Sequence, residues 1–244
     1  MIRAIEVLSR LRTLPAEIDT IARFANAMVL APHADDESLG CGGLISELVA
    51  RGTPPVVVIV TDGTGSHPSS RAYPFLRLRN LREREALEAV TILGVPASRL
   101  FFLRLRDTAT PSSGPEFDSV VTRLTKLMRE LRCDALFAPW IHDPHCDHEA
   151  AQLIARAAVK RTGAALFSYP VWGWLLANDT ILPDTIVNGW RLDIRKHLPS
   201  KRRAIAAHAS QYSNLISDDP DGFRLPSSLL SVFEQPYEVF LRTL

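Results

Sequence analysis

Five β-branched residues in a row, Val56 to Val60, constrain the fold of this 244-residue chain more than any other feature of its sequence. An apolar run that does not alternate with polar residues is typical of a strand buried on both faces of a sheet. A second such run, Ala27 to Ala31, lies earlier in the chain and ends at Pro32. The segment between the two runs carries apolar residues at helical spacing, namely Leu39, Leu44, Ile45, Leu48 and Val49. The sequence therefore predicts a βαβ unit.

The same alternation of helices and strands continues along the chain. A helix is predicted from Arg79 to Leu93, a strand from Leu100 to Leu103 and a helix from Asp118 to Leu131. A strand from Ala135 to Ala138 and a helix that begins near His148 follow. Because alternating strands and helices form parallel sheets with right-handed crossovers, we expect an α/β fold. Its sheet is expected to be doubly wound and mostly parallel, with helices on both faces.

Both ends of the chain are interpreted as less regular parts of one domain that spans residues 1–244. Residues 1–25 place apolar and basic side chains at helical spacing, which predicts a helical extension packed on the domain edge. A helix lying on a membrane surface is the alternative. Residues 165–244 are predicted to be irregular, with a strand-like stretch from Thr185 to Leu192 and a basic helix from Lys196 to Ala209.

Composition excludes several classes of protein. The 28 Lys and Arg residues against 27 Asp and Glu give a net charge of +1, too balanced for nucleic-acid binding by bulk charge. The three cysteines are widely spaced without a C-x-x-C pair, which indicates a reducing compartment. The chain contains no run of 18 apolar residues and does not begin like a secretory signal, so we expect a cytoplasmic protein without stable membrane insertion.

Two polar patches each follow the end of a predicted strand. His33 to Glu37 comes after the first strand, and His142 to His148 comes after the strand that ends at Ala138. Because parallel strands point the same way, both patches are expected at one edge of the sheet, where ligands bind. A lone acidic run would be typical of a solvated helix N-terminus, but imidazoles and carboxylates on two neighbouring patches suit a divalent metal.

A catalytic zinc ion usually has three protein ligands and keeps one position for water. His33, Asp36 and His148 are the predicted ligands. Asp35 diverges from its neighbour Asp36 but is placed to reach a water, so it is the predicted general base.

Two further residues of the second patch complete the predicted catalytic group. His145 is expected beside the metal, as a donor to developing negative charge. Asp147 is available to orient an imidazole. Together with the metal, this group is typical of metal-assisted hydrolysis.

Several motifs resemble those of one enzyme family. Ala31-Pro32-His33-Ala34-Asp35-Asp36-Glu37 is similar to the A-H-P-D-D-E signature of the LmbE-like, or PIG-L, zinc-dependent N-deacetylases, and His145-Cys146-Asp147-His148 is similar to their H-P-D-H. Further agreement comes from Arg82-x-x-Glu85-x-x-x-Ala89-x-x-x-Leu93-Gly94, from Asp107, and from Lys201-x-x-Ala204-x-x-x-His208-x-Ser210-Gln211.

The resemblance implies a Rossmann-like fold that holds one Zn²⁺, or another divalent transition metal, through the three predicted ligands. It implies removal of an N-acetyl group from an N-acetylglucosamine-type sugar, with Asp35 as general base. It assigns His145 to the oxyanion and Asp147 to tuning that histidine. Arg82, Asp107 and His208 fall on positions expected to bind substrate. The expected partner is a small amino-sugar conjugate, and a homo-oligomer is left open.

The chain departs from the family pattern at Ala34 and Cys146, which stand where proline is most common. A Cys146 thiolate is an alternative zinc ligand to His148.

Two other functions are left open. One is hydrolysis of another linear amide or of an ester, and the other is sugar binding without catalysis, by a protein with a structural metal. The glycines around Cys41 do not match a dinucleotide fingerprint, which favours close helix packing instead. The other residues weighed as substrate contacts are Asp62, His67, Tyr73, Trp172 and Trp174.

Overall fold

The computed structural model of the chain describes residues 1–17, 20, 23–183 and 188–242. Its strands, in chain order, are β1 (Ile2–Arg3), β2 (Ala27–Ala31), β3 (Val56–Thr61), β4 (Leu100–Leu105), β5 (Ala135–Pro139), β6 (Ala165–Tyr169), β7 (Ile181–Leu182), β8 (Gly189–Asp193) and β9 (Tyr237–Arg242). Its α-helices are α1 (Ala4–Thr13), α2 (Asp36–Ala50), α3 (Phe75–Ile92), α4 (Gly114–Glu130), α5 (Cys146–Thr162), α6 (Leu198–Ala207), α7 (Ala209–Tyr212) and α8 (Ser227–Val232).

Seven strands form one sheet in the order β4-β3-β2-β5-β6-β9-β8, and β1 pairs with β7 in a separate ribbon. The neighbours from β4 to β6 are parallel, whereas β9 runs antiparallel to both β6 and β8. Apolar side chains on the two faces of the sheet pack into two separate clusters, with α2 and α6 on one side and α4 and α5 on the other. The predicted α/β fold with a mostly parallel sheet between layers of helices is confirmed.

The valine-rich strand shows why both faces need helices. Val57 and Ile59 pack into the cluster that α2 covers, while Val56, Val58 and Val60 pack into the cluster beneath α4 and α5. Successive side chains of a strand point to opposite faces, so an unbroken apolar run fills both clusters at once. Burial of this kind contributes about 25 cal/mol per Å² of apolar surface.

The region after Ala165 is more regular than the sequence indicates. It supplies β6, β8 and β9 to the central sheet. β6 begins at Ala165, directly after α5 and the turn at Gly163. The apolar residues of β6 therefore continue the helical pattern of α5, and the sequence does not show where the strand begins. The predicted stretch from Thr185 to Leu192 is shifted to β8, and residues 184–187 lie outside the described part of the chain.

The N-terminal helix is shorter than residues 1–25, because α1 ends at Thr13. Its apolar face, with Val7, Leu8 and Leu11, packs in a cluster with Trp140 and Leu241. That packing supports a helix on the domain edge, since the face a membrane would need is already covered. None of the helices within the described ranges is both long and apolar enough to cross a bilayer.

The chain winds outward from the centre of the sheet in both directions. β2 lies between β3 and β5, so the loops after β2 and β5 turn away from each other. Such a switch in winding opens a crevice at the carboxyl ends of the two strands. Gly40 lets α2 sit close against the sheet, because a Cβ there would overlap the ring of Tyr169. The start of α2 is thereby held at the crevice.

Candidate metal and active site

The two polar patches meet in the crevice between β2 and β5. Asp36 Oδ2 lies 3.2 Å from His33 Nδ1 and 3.2 Å from His148 Nε2. The His148 ring is fully buried, and its Nε2, although 3.2 Å from Asp36 Oδ2, has no hydrogen-bond partner among the described residues. A buried polar atom without a partner is costly, and a ligand bound at this nitrogen would remove that cost. The structure brings the three predicted metal ligands together.

The nitrogens that face away from Asp36 also meet carboxylates. His33 Nε2 lies 3.2 Å from Asp107 Oδ1 and 3.1 Å from Asp147 Oδ2. His148 Nδ1 lies 2.9 Å from Asp143 Oδ2. Burial lowers the pKa of His148, but Asp36 and Asp143 outweigh that effect and raise it to about 9. Four carboxylates surround two imidazoles, an excess of negative charge that favours a bound cation.

Asp35 lies beside this group in a strained backbone conformation, with φ at 144°. The turn is held by Arg82, whose Nη2 donates to the Ala34 carbonyl at 2.7 Å and whose Nη1 donates to the Gly63 carbonyl at 3.1 Å. Arg82 Nη2 is also 3.4 Å from Asp35 Oδ2. Burial raises the pKa of Asp35 to about 7, against the opposing charge of Arg82.

A cavity of about 390 Å³ opens over these residues. One part of its wall is polar and contains His33, Asp35, Asp36, Arg82, Asp107 and His145. Another part is apolar and contains Leu39, Pro144, Trp172, Phe223 and Leu225. Trp172 and Phe223 pack edge to face, with ring centroids 5.7 Å apart. The cavity is therefore suited to a molecule with one polar, reactive end and one ring-like or apolar face.

The side-chain carboxylate of Asp147 contacts a different histidine from the one that the resemblance implies. The backbone N–H of Asp147 donates to His145 Nδ1 at 3.2 Å, which leaves that nitrogen as an acceptor. An acceptor nitrogen has no proton for a carboxylate, and Asp147 Oδ2 is 3.9 Å from it. The Asp147 carboxylate instead lies beside His33 and accepts from the backbone N–H groups of Thr108 and Thr110. The Asp147 carboxylate is therefore closer to His33 than to His145.

His208 is not on the cavity wall. It is fully buried, and its Nε2 lies 2.9 Å from Glu37 Oε1. Glu37 in turn accepts from the backbone N–H of Asp35 at 3.0 Å. The expectation of direct substrate contact is corrected, because the buried Glu37 carboxylate needs a partner and His208 supplies it.

The residues considered as further substrate contacts lie in different parts of the structure. Trp172 lines the cavity, but Trp174 lines a second cavity together with Arg12. His67 is buried, with Nδ1 3.2 Å from Ser66 Oγ. The Cys146 side chain is exposed, and its thiol donates to the Thr108 carbonyl at 3.7 Å.

Asp143 is one of the site residues that the sequence did not predict. It belongs to the second patch, yet its spacing to His148 follows no helical or strand period. Its contact with His148 depends on the loop that precedes α5, and no pattern in the sequence describes that loop.

The chain is similar to a protein family and to several known proteins. The family described as PIG-L, GlcNAc-PI de-N-acetylase, matches residues 28–159, more than half of the chain. Diacetylchitobiose deacetylase of Thermococcus kodakarensis is 29% identical over 145 residues, which cover 58% of this chain and about half, 51%, of that protein. The 1D-myo-inositol 2-acetamido-2-deoxy-alpha-D-glucopyranoside deacetylase of Rhodococcus jostii is 27% identical over 75% of this chain and 80% of that protein. The structure of N,N'-diacetylchitobiose deacetylase from Pyrococcus horikoshii is similar with a TM-score of 0.63 at 25% identity, covering 80% of this chain and 74% of that one.

Proposed function

Because this chain belongs to the PIG-L family, we propose that it is a zinc-dependent hydrolase that removes the N-acetyl group from an N-acetylglucosamine-type sugar or conjugate. The similar proteins named above are deacetylases of acetylated amino sugars, which supports this class of substrate. One observation carries the proposal. His33, Asp36 and the unpartnered nitrogen of His148 converge beside the carboxylate of Asp35, at the base of a cavity.

The residues present fit a zinc ion. His33 Nδ1, Asp36 Oδ2 and His148 Nε2 are two imidazole nitrogens and one carboxylate oxygen, a donor set that zinc accepts at catalytic sites. A metal would bind the lone pair of His148 Nε2, which makes no hydrogen bond with the described residues. Three protein ligands leave a position open for water, whereas structural zinc sites are usually closed by four. We therefore infer a catalytic rather than a structural metal.

When bound, the metal supplies Lewis acidity, which lowers the pKa of a water and polarises the acyl carbonyl. Asp35 accepts the proton of the attacking water and later delivers it to the departing amine. Burial, which raises the pKa of Asp35 to about 7, matches this carboxylate to both roles near neutral pH. Arg82 restrains the Asp35 carboxylate and the turn that carries it.

His145 is placed to stabilise the oxyanion. Burial and the neighbouring His33 lower the pKa of His145, so its ring is neutral at pH 7. Because Nδ1 accepts the backbone N–H of Asp147, the single ring proton is on Nε2. A neutral imidazole with a proton on Nε2 is a hydrogen-bond donor, and His145 lines the cavity.

Substrate contacts follow from the two walls of the cavity. Arg82 Nε is buried and has no hydrogen-bond partner in the described part of the chain, and we assign it with Asp107 to the polar groups of the sugar. Trp172 offers a ring face on which a sugar can pack. His208 is assigned an indirect role, because it holds Glu37, which holds the backbone of Asp35.

Metal content and acetate release test the proposal together. The purified protein is expected to bind about one zinc per chain and to release acetate from N-acetylated glucosamine derivatives until a chelator removes the metal. A chelated protein that remains folded by circular dichroism supports a catalytic metal, because loss of a structural metal would unfold it. Zinc binding with a product other than acetate would shift the assignment to another amide or to an ester. Failure to bind any divalent metal after reconstitution would overturn it.

A further inference from the structure

The Asp143 carboxylate collects four hydrogen bonds although it is fully buried. Its Oδ2 accepts from His148 Nδ1 at 2.9 Å, from the backbone N–H of Val171 at 2.9 Å and from that of Trp172 at 3.2 Å. Its Oδ1 accepts from the backbone N–H of Gly173 at 2.7 Å. A buried carboxylate is expensive unless it is fully hydrogen-bonded, and this one is. Its partners belong to two different parts of the site.

On one side, Asp143 determines which nitrogen of His148 is available. With Nδ1 donating its proton to the carboxylate, a neutral His148 has its lone pair on Nε2, the atom that points toward Asp36. The same hydrogen bond limits rotation of the ring. Carboxylate partners of this kind orient metal-binding histidines and make them more basic, and their loss typically weakens metal binding about 10- to 100-fold.

On the other side, Asp143 anchors the segment that carries the cavity wall. The three amides that it accepts belong to consecutive residues, Val171 to Gly173, and Trp172 in their midst lines the cavity. Gly173 allows this turn to close on the carboxylate, because a Cβ there would lie 2.7 Å from Asp143 Oδ1 and 2.6 Å from the Trp140 ring. The turn and the metal-binding histidine therefore share one anchor.

We propose that Asp143 is a positioning residue that couples the metal ligand His148 to the substrate-facing segment at Trp172. The part of this inference that concerns substrate rests on the proposed function, whereas the part that concerns metal affinity does not. Loss of the Asp143 carboxylate is expected to change both zinc affinity and substrate binding. Loss of the His148 ring alone is expected to change zinc affinity, and loss of the Trp172 ring alone is expected to change substrate binding.

The test compares Asp143→Asn with two control variants. With its oxygen at the Oδ2 position, asparagine still accepts from His148 Nδ1, but it lacks the negative charge of the carboxylate, and its NH2 group faces the Gly173 N–H, which it cannot satisfy. Asp134→Asn is the matched control, because Asp134 also accepts two backbone N–H groups, of Ala25 and Asn26, but at the opposite end of β5 from the metal ligands. Trp172→Ala is the second control, because it removes the side chain from the wall and leaves the contact of Asp143 with His148 intact.

Zinc affinity is measured on the folded proteins by competition with a chromophoric chelator. We expect Asp143→Asn to bind zinc about 10- to 100-fold more weakly than the wild type, with Asp134→Asn and Trp172→Ala unchanged. With N-acetylglucosamine derivatives at saturating zinc, we expect KM to rise in both Asp143→Asn and Trp172→Ala. Equal zinc affinity in Asp143→Asn and wild type would overturn the positioning role, whether or not the protein is a deacetylase. Absence of zinc binding by the wild type would overturn this inference and the proposed function together.

A measurement on the wild type decides the matter if Asp143→Asn does not fold. In the zinc-loaded protein labelled with ¹⁵N-histidine, His148 is expected to carry its proton on Nδ1 and to have that proton protected from exchange by the Asp143 carboxylate. A proton on Nε2 would contradict the inference.

Discussion

The parallel part of the sheet and the C-terminal region contribute different things to one cavity. Residues 27–162 hold β2 to β5, the three proposed metal ligands and Asp35. Residues 165–242 hold the antiparallel strands and supply Trp172, Phe223 and Leu225 to the apolar wall. The hydrolytic groups thus come from the first stretch, whereas the aromatic part of the apolar wall comes from the second. Mutations of the hydrolytic groups should therefore alter chemistry, and mutations of that aromatic wall should alter substrate binding.

The largest effect is expected from Asp35→Asn in the parallel part. The variant retains a side chain of the same size but cannot accept the proton of the attacking water, so kcat is expected to fall by about 10²- to 10⁴-fold. Zinc content, measured by elemental analysis, is expected to stay at the wild-type level, because Asp35 is not a proposed ligand. Wild-type turnover in this variant would remove Asp35 from the role of base.

How much of the site the sequence predicts follows the same division. His33, Asp36 and His148 were predicted together because the carboxyl ends of parallel strands share an edge, and that rule needs no knowledge of the loops. The position of His208 was not predicted, since its contact with Glu37 depends on how α6 packs against α2 and α3. Asp143 and Trp172 meet through a loop and a turn whose backbone conformations leave no periodic pattern.

The sequence also predicts some strands of the sheet and not others. β2 and β3 are buried on both faces and appear in the sequence as unbroken apolar runs. β9 carries Glu238 and Arg242 among its apolar residues, and its place between β6 and β8 is decided by tertiary pairing. The fold class was therefore predictable, whereas the order of strands in the C-terminal half was not.

A smaller effect, on stability, is expected where the two regions join. Glu47 of α2 is buried and accepts from Lys196 Nζ at 2.7 Å and from His197 Nε2 at 2.8 Å. Burial raises the pKa of Glu47, but Lys196, His197 and Arg51 outweigh it and lower the value to about 2. Because the folded-state pKa is depressed, this stabilisation is complete above the unfolded-state pKa of about 4.3 and is lost as pH falls toward 2.

Urea unfolding of Glu47→Gln measures that contribution. The variant is expected to lose about 1–3 kcal/mol of unfolding free energy at pH 7 and progressively less between about pH 4.3 and 2. The exposed Glu88 provides the control, and Glu88→Gln is expected to leave the free energy unchanged within about 0.5 kcal/mol. If the difference in unfolding free energy between Glu47→Gln and wild type stays constant with pH, the charge of the Glu47 carboxylate does not stabilise the contact between the two regions.

Substrate binding should respond to Phe223→Ala in the C-terminal region. Phe223 packs on Trp172 and lines the cavity, so its removal is expected to raise KM about tenfold, with kcat and zinc affinity unchanged. Trp174 lies in the same region but lines another cavity, which makes Trp174→Ala the control. An effect on kcat without one on KM would place Phe223 among the groups that act in the transition state. It would contradict the proposed role of the C-terminal aromatic wall in substrate binding.

The smallest effect is expected from Cys146→Pro, a substitution inside the metal-bearing patch. Cys146 is the first residue of α5, where the backbone N–H has no partner within the helix and proline is well accommodated. His145 before it is already extended, with φ at −143° and ψ at 129°, which proline requires of a preceding residue. Zinc content and kcat/KM are expected to stay within about twofold of wild type, and stability is expected to rise by about 0.4–1 kcal/mol because the unfolded chain is restricted. Loss of zinc from this variant would instead make Cys146 a metal ligand. The thiol would then bind the metal as a thiolate, although in this structure it donates to the Thr108 carbonyl.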